Sequence, residues 1–200
     1  MKPFPTLICI PDISGFTEFM SKVDFDLGSR VIPSLLNKII YSNQIGLKIS
    51  EIEGDAVLFY KQGKLPSLER LIDQCKSFYN EFYRHIEELL EKERVSENVT
   101  QIPKILGLKI ILHFGEEIAH VTVGKHIKLM GEDIIAAHRL LKNDVPLNEY
   151  ILISDKLLDQ YDGNIDEKVG WTQSVRGSVT SEHIGKVGFS YVPLSPLLPS

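Results

Sequence analysis

Two carboxylates hold the chemical interest of this 200-residue chain. Asp12 ends an apolar run, Leu7 to Ile10, and is followed by Ser14-Gly15 and then by Phe16, Phe19, Met20 and Val23 at helical spacing. That is a buried strand feeding an amphipathic helix. Asp55 follows Gly54 between two short strand-like stretches, Leu47 to Ile52 and Ala56 to Tyr60, as in a hairpin turn. Carboxylate oxygens at such strand ends suit a hard divalent cation. They also suit a plainer duty, with Asp12 or Ser14 as the N-cap of the helix and Asp55 as a turn residue. Glu51, Glu53 and Asp55 share one strand face by period two, and Arg139 stands on a later helix.

Composition narrows the setting for these groups. At 43% apolar and 24% charged residues the chain can bury one full core, so we expect a single domain over residues 1–200. No apolar run approaches a membrane span, and Met1-Lys2-Pro3 leads straight into the first strand, which predicts a soluble cytoplasmic protein with no membrane partner. The net charge of -5 argues against nucleic-acid binding, which needs an excess of Lys and Arg. Cys9 and Cys75 have no metal-ligand spacing and read as small buried hydrophobes.

In chain order, Leu27-Gly28-Ser29 breaks the first helix, and Ile32, Leu35, Leu36 and Ile39 resume the helical period. The Gly54-Asp55 hairpin follows, then a long helix from Ser67 to about Glu93 and a loop from Val95 to Lys104. Leu106 to Phe114 reads as a strand turned by Gly115-Glu116, with Glu117 to Val123 returning and Gly124 to Lys128 a basic connector. A helix spans Gly131 to Asn143, with acids in its first turn and Lys142 in its last, as the helix dipole favours. Tyr150 to Ser154 is a strand, and Gly170 to Val192 makes one or two more, turning near Gly185-Lys186. The order predicts an α+β fold, a ferredoxin-like sandwich of a mostly antiparallel sheet with helices on one face.

With those segments placed, the chain resembles the class III adenylyl/guanylyl cyclase catalytic domain. The resemblance rests on four blocks in the family's order: Pro11-Asp12-Ile13-Ser14-Gly15-Phe16-Thr17, Glu51 to Asp55, His113-Phe114-Gly115, and Gly131 to Arg139. It implies that Asp12, Asp55 and the carbonyl of Ile13 hold two Mg²⁺ or Mn²⁺ ions. These would activate a ribose 3′-hydroxyl for attack on the α-phosphorus of a purine nucleoside triphosphate, giving a 3′,5′-cyclic nucleotide and pyrophosphate. Amides at the start of the first helix could meet phosphate oxygens.

By the same resemblance, Glu51 and Lys128 occupy the base-reading positions. Glu51 tilts the choice towards GTP over ATP, while Lys128 matches neither pattern; the plain alternative for Glu51 is a solvated strand residue. Arg139 would steady the phosphate in the transition state. Lys186 loosely matches a lysine that meets the terminal phosphates, and otherwise is an exposed turn residue. The family's Asn, four residues before that Arg, is here Ile135, with Asn143 or His138 as possible substitutes. The family pairs the metal carboxylates of one subunit with the Asn/Arg helix of another, which implies a head-to-tail homodimer. A non-catalytic module that binds a metal-nucleotide, and a purely structural or interaction protein, are the alternatives.

Overall fold

The computed structural model describes residues 4–92 and 102–198. The first strand, β1 (Phe4–Ser14), runs through Asp12 and alternates its side chains between two cores. Leu7, Cys9 and Ile13 enter one, Ile8 and Ile10 the other. Both faces of the strand are therefore covered, which explains an apolar run without polar alternation.

Two helices follow, α1 (Phe16–Lys22) and α2 (Phe25–Tyr41). They part at Val23–Asp24 rather than at Gly28. Asp24 caps α2 by accepting the Leu27 amide at 2.8 Å. Gly28 lies inside the helix, where the close approach of Met20 favours a residue without a side chain: a Cβ there would sit 2.7 Å from Met20 Sδ. Pro33 is also interior to α2; it points outward and forfeits one helical hydrogen bond.

The hairpin of β2 (Lys48–Glu53) and β3 (Ala56–Gln62) falls as expected, with Gly54 at φ 59° and a bulge between Ile49 and Glu51. The long helix is α3 (Leu68–Lys92). Most of the loop expected over Val95 to Lys104 lies outside the described residues, and its end is a short helix, α4 (Ile102–Ile105).

The next strand departs from expectation. β4 (Gly107–Val123) is continuous for 17 residues, with no turn at Gly115-Glu116. Gly115 is needed for closeness: a Cβ there would lie 2.6 Å from the Cβ of Asp133. The hairpin comes later, at Gly124 (φ 62°), and the expected basic connector is mostly a strand, β5 (His126–Met130), paired back onto β4.

Beyond it come α5 (Glu132–Leu141), β6 (Tyr150–Ser154), two short helices α6 (Asp155–Leu158) and α7 (Ile165–Val169), and the hairpin of β7 (Val175–Ser181) with β8 (Gly185–Pro193). The sheet order is β2-β3-β1-β4-β6-β8-β7, and among the described residues only β4 with β6 is parallel. The fold is thus α+β with an open, mostly antiparallel sheet. Its helices are not all on one face: α2 and α3 pack into the core of Leu7 and Cys9, whereas Ile134, Ala137 and Leu140 of α5 pack with Ile8, Ile10 and Ile111. A stripe on a helix shows that a face is buried, not which side of the sheet receives it. Among the described residues, no helix is long and apolar enough to cross a membrane, and Cys9 and Cys75 are buried and unpaired.

Candidate functional site

Sheet register brings the two acids together. Asp12 lies opposite Ala56, the residue after Asp55, and the Ile13 amide donates to the Asp55 carbonyl at 3.0 Å. Asp12 does not cap α1. The residue there is Gly15, at φ 78° and with no side-chain bond, and a Cβ on it would fall 2.1 Å from the Ile105 carbonyl oxygen.

On the other side of β1, Asp12 faces Lys109 of β4, which in turn faces Tyr150 of β6. Residues directly opposite in a ladder share a face, so these three form one row. Lys109 Nζ stands 3.6 Å from Asp12 Oδ2 and 3.5 Å from the Leu141 carbonyl at the end of α5. The lysine was not singled out by sequence. Its contact depends on the pairing of β1 with β4, which no local pattern shows.

The electrostatics of the pair are those of a site short of positive charge. Burial raises the Asp12 carboxyl to about 6; Lys109 pulls it down and the Asp55 charge pushes it up. Burial also raises Asp55, against its own backbone hydrogen bond and Lys109. The donors fit a hard divalent cation in kind. Among the described residues no third His, Cys, Asp or Glu joins them. That count still suits Mg²⁺, which is commonly held by one or two carboxylates together with substrate phosphates and water.

The two expected base readers also meet. Lys128 Nζ of β5 lies 3.3 Å from Glu51 Oε2 of β2, closing the β2 and β5 arms against each other. Arg139 and Ile135 sit exposed, one turn apart on α5. Asn143 is no substitute for the missing Asn. Its side chain is taken up by the Tyr150 hydroxyl, the Leu140 carbonyl and the Val145 amide. His138 is half-buried on α5.

Lys186 falls elsewhere. It lines a cavity of about 390 Å³ with His113, Asp133, Asp155 and Lys156, at the N-terminal end of α5. His113 is four residues along β4 from Lys109, about 13 Å at strand rise. In that cavity Asp133 accepts from Lys156 at 2.7 Å and from the Glu116 amide at 3.1 Å, with His113 Nε2 at 3.4 Å. Burial pushes the Asp133 carboxyl up, but the contacts of His113 and Lys156 outweigh it and hold the group well below the usual carboxylate range. The stability this gives is present above the ordinary carboxylate pKa and is lost as pH falls through the folded value. We therefore expect Asp133→Asn to cost about 2–4 kcal/mol at pH 7 by chemical denaturation and to flatten the acid limb of the stability profile.

Comparison with known proteins bears on the fold. The adenylyl cyclase CyaB from P. aeruginosa superposes with a TM-score of 0.64 at 16% identity, over 96% of this chain and 95% of that one. The catalytic core of a rhodopsin-guanylyl cyclase with converted specificity, in complex with ATPalphaS, gives 0.61 at 17%, covering 96% of each. The guanylate cyclase domain of RhGC from Catenaria anguillulae, in complex with GTP, gives 0.58 at 17%, over 96% and 97%. At these identities the likeness is one of fold, that of class III adenylyl/guanylyl cyclase domains. By sequence, the chain belongs to the DUF2652 family, described as proteins of unknown function, which it matches over residues 32–150. It is also 28% identical over 155 residues to the uncharacterized protein Rv2561/Rv2562 of Mycobacterium tuberculosis, covering 75% of this chain and 68% of that one.

Proposed function

We propose that this chain is a divergent metal-dependent nucleotidyl cyclase that converts a purine nucleoside triphosphate, GTP in preference to ATP, to a 3′,5′-cyclic nucleotide and pyrophosphate. One observation carries the reading: Asp12 and Asp55 meet at neighbouring strand ends with their charges under-compensated. In this reading Asp12, Asp55 and the Ile13 carbonyl hold two Mg²⁺ or Mn²⁺ ions. Such ions, when bound, acidify a ribose hydroxyl and neutralise the triphosphate. Arg139 of a second copy steadies the α-phosphate, and Lys186, remote from Asp12 within one chain, serves the terminal phosphates only across such a dimer. Ile49 and Ile52 of β2, Val123 at the end of β4, Ile127 and Met130 of β5 and Ile135 of α5, each 42–55% exposed, leave apolar surface for a second copy to cover.

The Glu51–Lys128 pair supports guanine. A carboxylate accepts from the N1 and N2 hydrogens while the ammonium donates to O6; adenine offers that edge in the opposite polarity. With Mn²⁺ and each of the four nucleoside triphosphates, we expect cyclic product and pyrophosphate from GTP first. Glu51→Ala should cost GTP about 10- to 100-fold relative to ATP, the worth of one bidentate base contact. Equal losses for both nucleotides would remove Glu51 from base reading. Ile135 favours a second reading, a module that holds the metal-nucleotide without turning it over. Binding without product at high protein concentration would support it, and no metal-dependent thermal shift with any nucleotide would leave only a structural or interaction role.

A further inference from the structure

Asp12 sits in a row with two different neighbours. On one side is Asp55, a second carboxylate; on the other is Lys109, whose ammonium pairs with Asp12. Lys109 Nζ is poised between two acceptors, Asp12 Oδ2 at 3.6 Å and the Leu141 carbonyl at 3.5 Å, and is in tight contact with neither. Leu141 is the last residue of α5, the helix that carries Arg139. A lysine suits a movable role: its ammonium is a point charge on a flexible stem, without the fixed fork that would lock an arginine to the carboxylate. The side chain keeps 22% of its surface exposed, so it has room to withdraw. Helix C-termini attract cations, so the Leu141 end of α5 is a second seat for the ammonium.

We propose that Lys109 is the resident counter-cation of the Asp12–Asp55 pair, a positioning residue that gives up Asp12 to an arriving divalent cation and moves fully onto the C-terminal carbonyls of α5. The inference rests on the metal reading above and adds to it. One part of the chain's own charge competes with the metal, and metal loading is tied to the seat of the helix bearing Arg139. Lys109 thus sets the site's cation affinity low enough that a nucleotide's phosphates are needed to complete it.

The test uses the full chain without nucleotide, with free Mn²⁺ read by its electron paramagnetic resonance signal. Lys109→Met and Lys109→Gln should each bind Mn²⁺ about tenfold or more tighter than the wild type, because a like charge beside the ligand has gone. Lys109→Arg should not gain. In chelator the two neutral variants should melt below the wild type, with Mn²⁺ closing the gap. The Gln variant keeps a donor for Leu141 and stands in should the Met variant fail to fold. Equal or weaker Mn²⁺ binding in the neutral variants, with the wild type binding normally, overturns the inference and leaves the metal reading intact. If no variant and no wild-type chain binds Mn²⁺, the metal reading fails and Lys109 is a permanent counterion, which overturns the inference as well.

Discussion

Asp12→Asn is expected to abolish Mn²⁺ binding and, in the absence of metal, to make the chain harder to unfold. The two effects have one cause. A carboxylate raised from an ordinary 3.8 to about 6 by the fold is a charge the fold does not accommodate. The sign follows from linkage: the folded state binds the proton more tightly, so there is no penalty below pH 3.8, a growing one between 3.8 and 6, and the full one above. That full penalty is about 3 kcal/mol at neutral pH. The folded value already includes the attraction of Lys109, so an amide of the same shape should recover the penalty less its own imperfect hydrogen bonding, a net gain of about 1–3 kcal/mol. Between pH 4 and 6 the wild type should gain stability on acidification, whereas the variant should not. This window lies above the one in which Asp133 loses its contribution, so the two groups separate on one pH series. Losing a metal carboxylate should lower Mn²⁺ affinity by more than about 100-fold, since even outer partners of metal ligands are worth 10- to 100-fold. Denaturant melts in chelator together with Mn²⁺ titration measure both halves. A variant that is less stable at pH 7 and binds Mn²⁺ as before would make Asp12 an ordinary structural acid.

The elements that carry the candidate residues are largely legible in the sequence, and those that are not have physical reasons. The Gly54-Asp55 hairpin, the strand Tyr150 to Ser154 and the helix carrying Arg139 were readable because period and punctuation are local properties. Gly28 and Gly115 misled because glycine marks both a turn and a close approach. At Gly28 the near neighbour is Met20 within the same helical pair, and at Gly115 it is Asp133 on α5, 18 residues on in the chain. Reading a turn at Gly115 cut β4 in two and hid that β5 carries Lys128 to Glu51. Lys109 could not be found at all. Its spacing puts it on the face of His113, but only the register with β1 sets it beside Asp12.

Ile135→Asn is the change expected to raise turnover most. Ile135 is 52% exposed and one turn from Arg139, so the substitution removes little packing and should cost less than about 1 kcal/mol. The gain lies in the transition state. An aliphatic side chain can neither orient a ribose nor share charge, and restoring one such polar contact is worth on the order of 10² in kcat. The rise should appear in kcat for Mn²⁺ with GTP, while nucleotide affinity moves little. No rise, with Tm unchanged, would place α5 away from the reacting groups and favour the non-catalytic module. In the Ile135→Asn background the composite nature of the site becomes testable. Adding Asp12→Asn silences one half of each site and adding Arg139→Ala silences the other, so each chain alone should be inactive. Mixed and allowed to exchange, half of the dimers pair one chain of each kind, and each such dimer regains one intact site of its two. The mixture should therefore recover about a quarter of the parent activity. A mixture as inactive as its components would mean that each chain relies on its own Arg139 and that the head-to-tail dimer is not the working form.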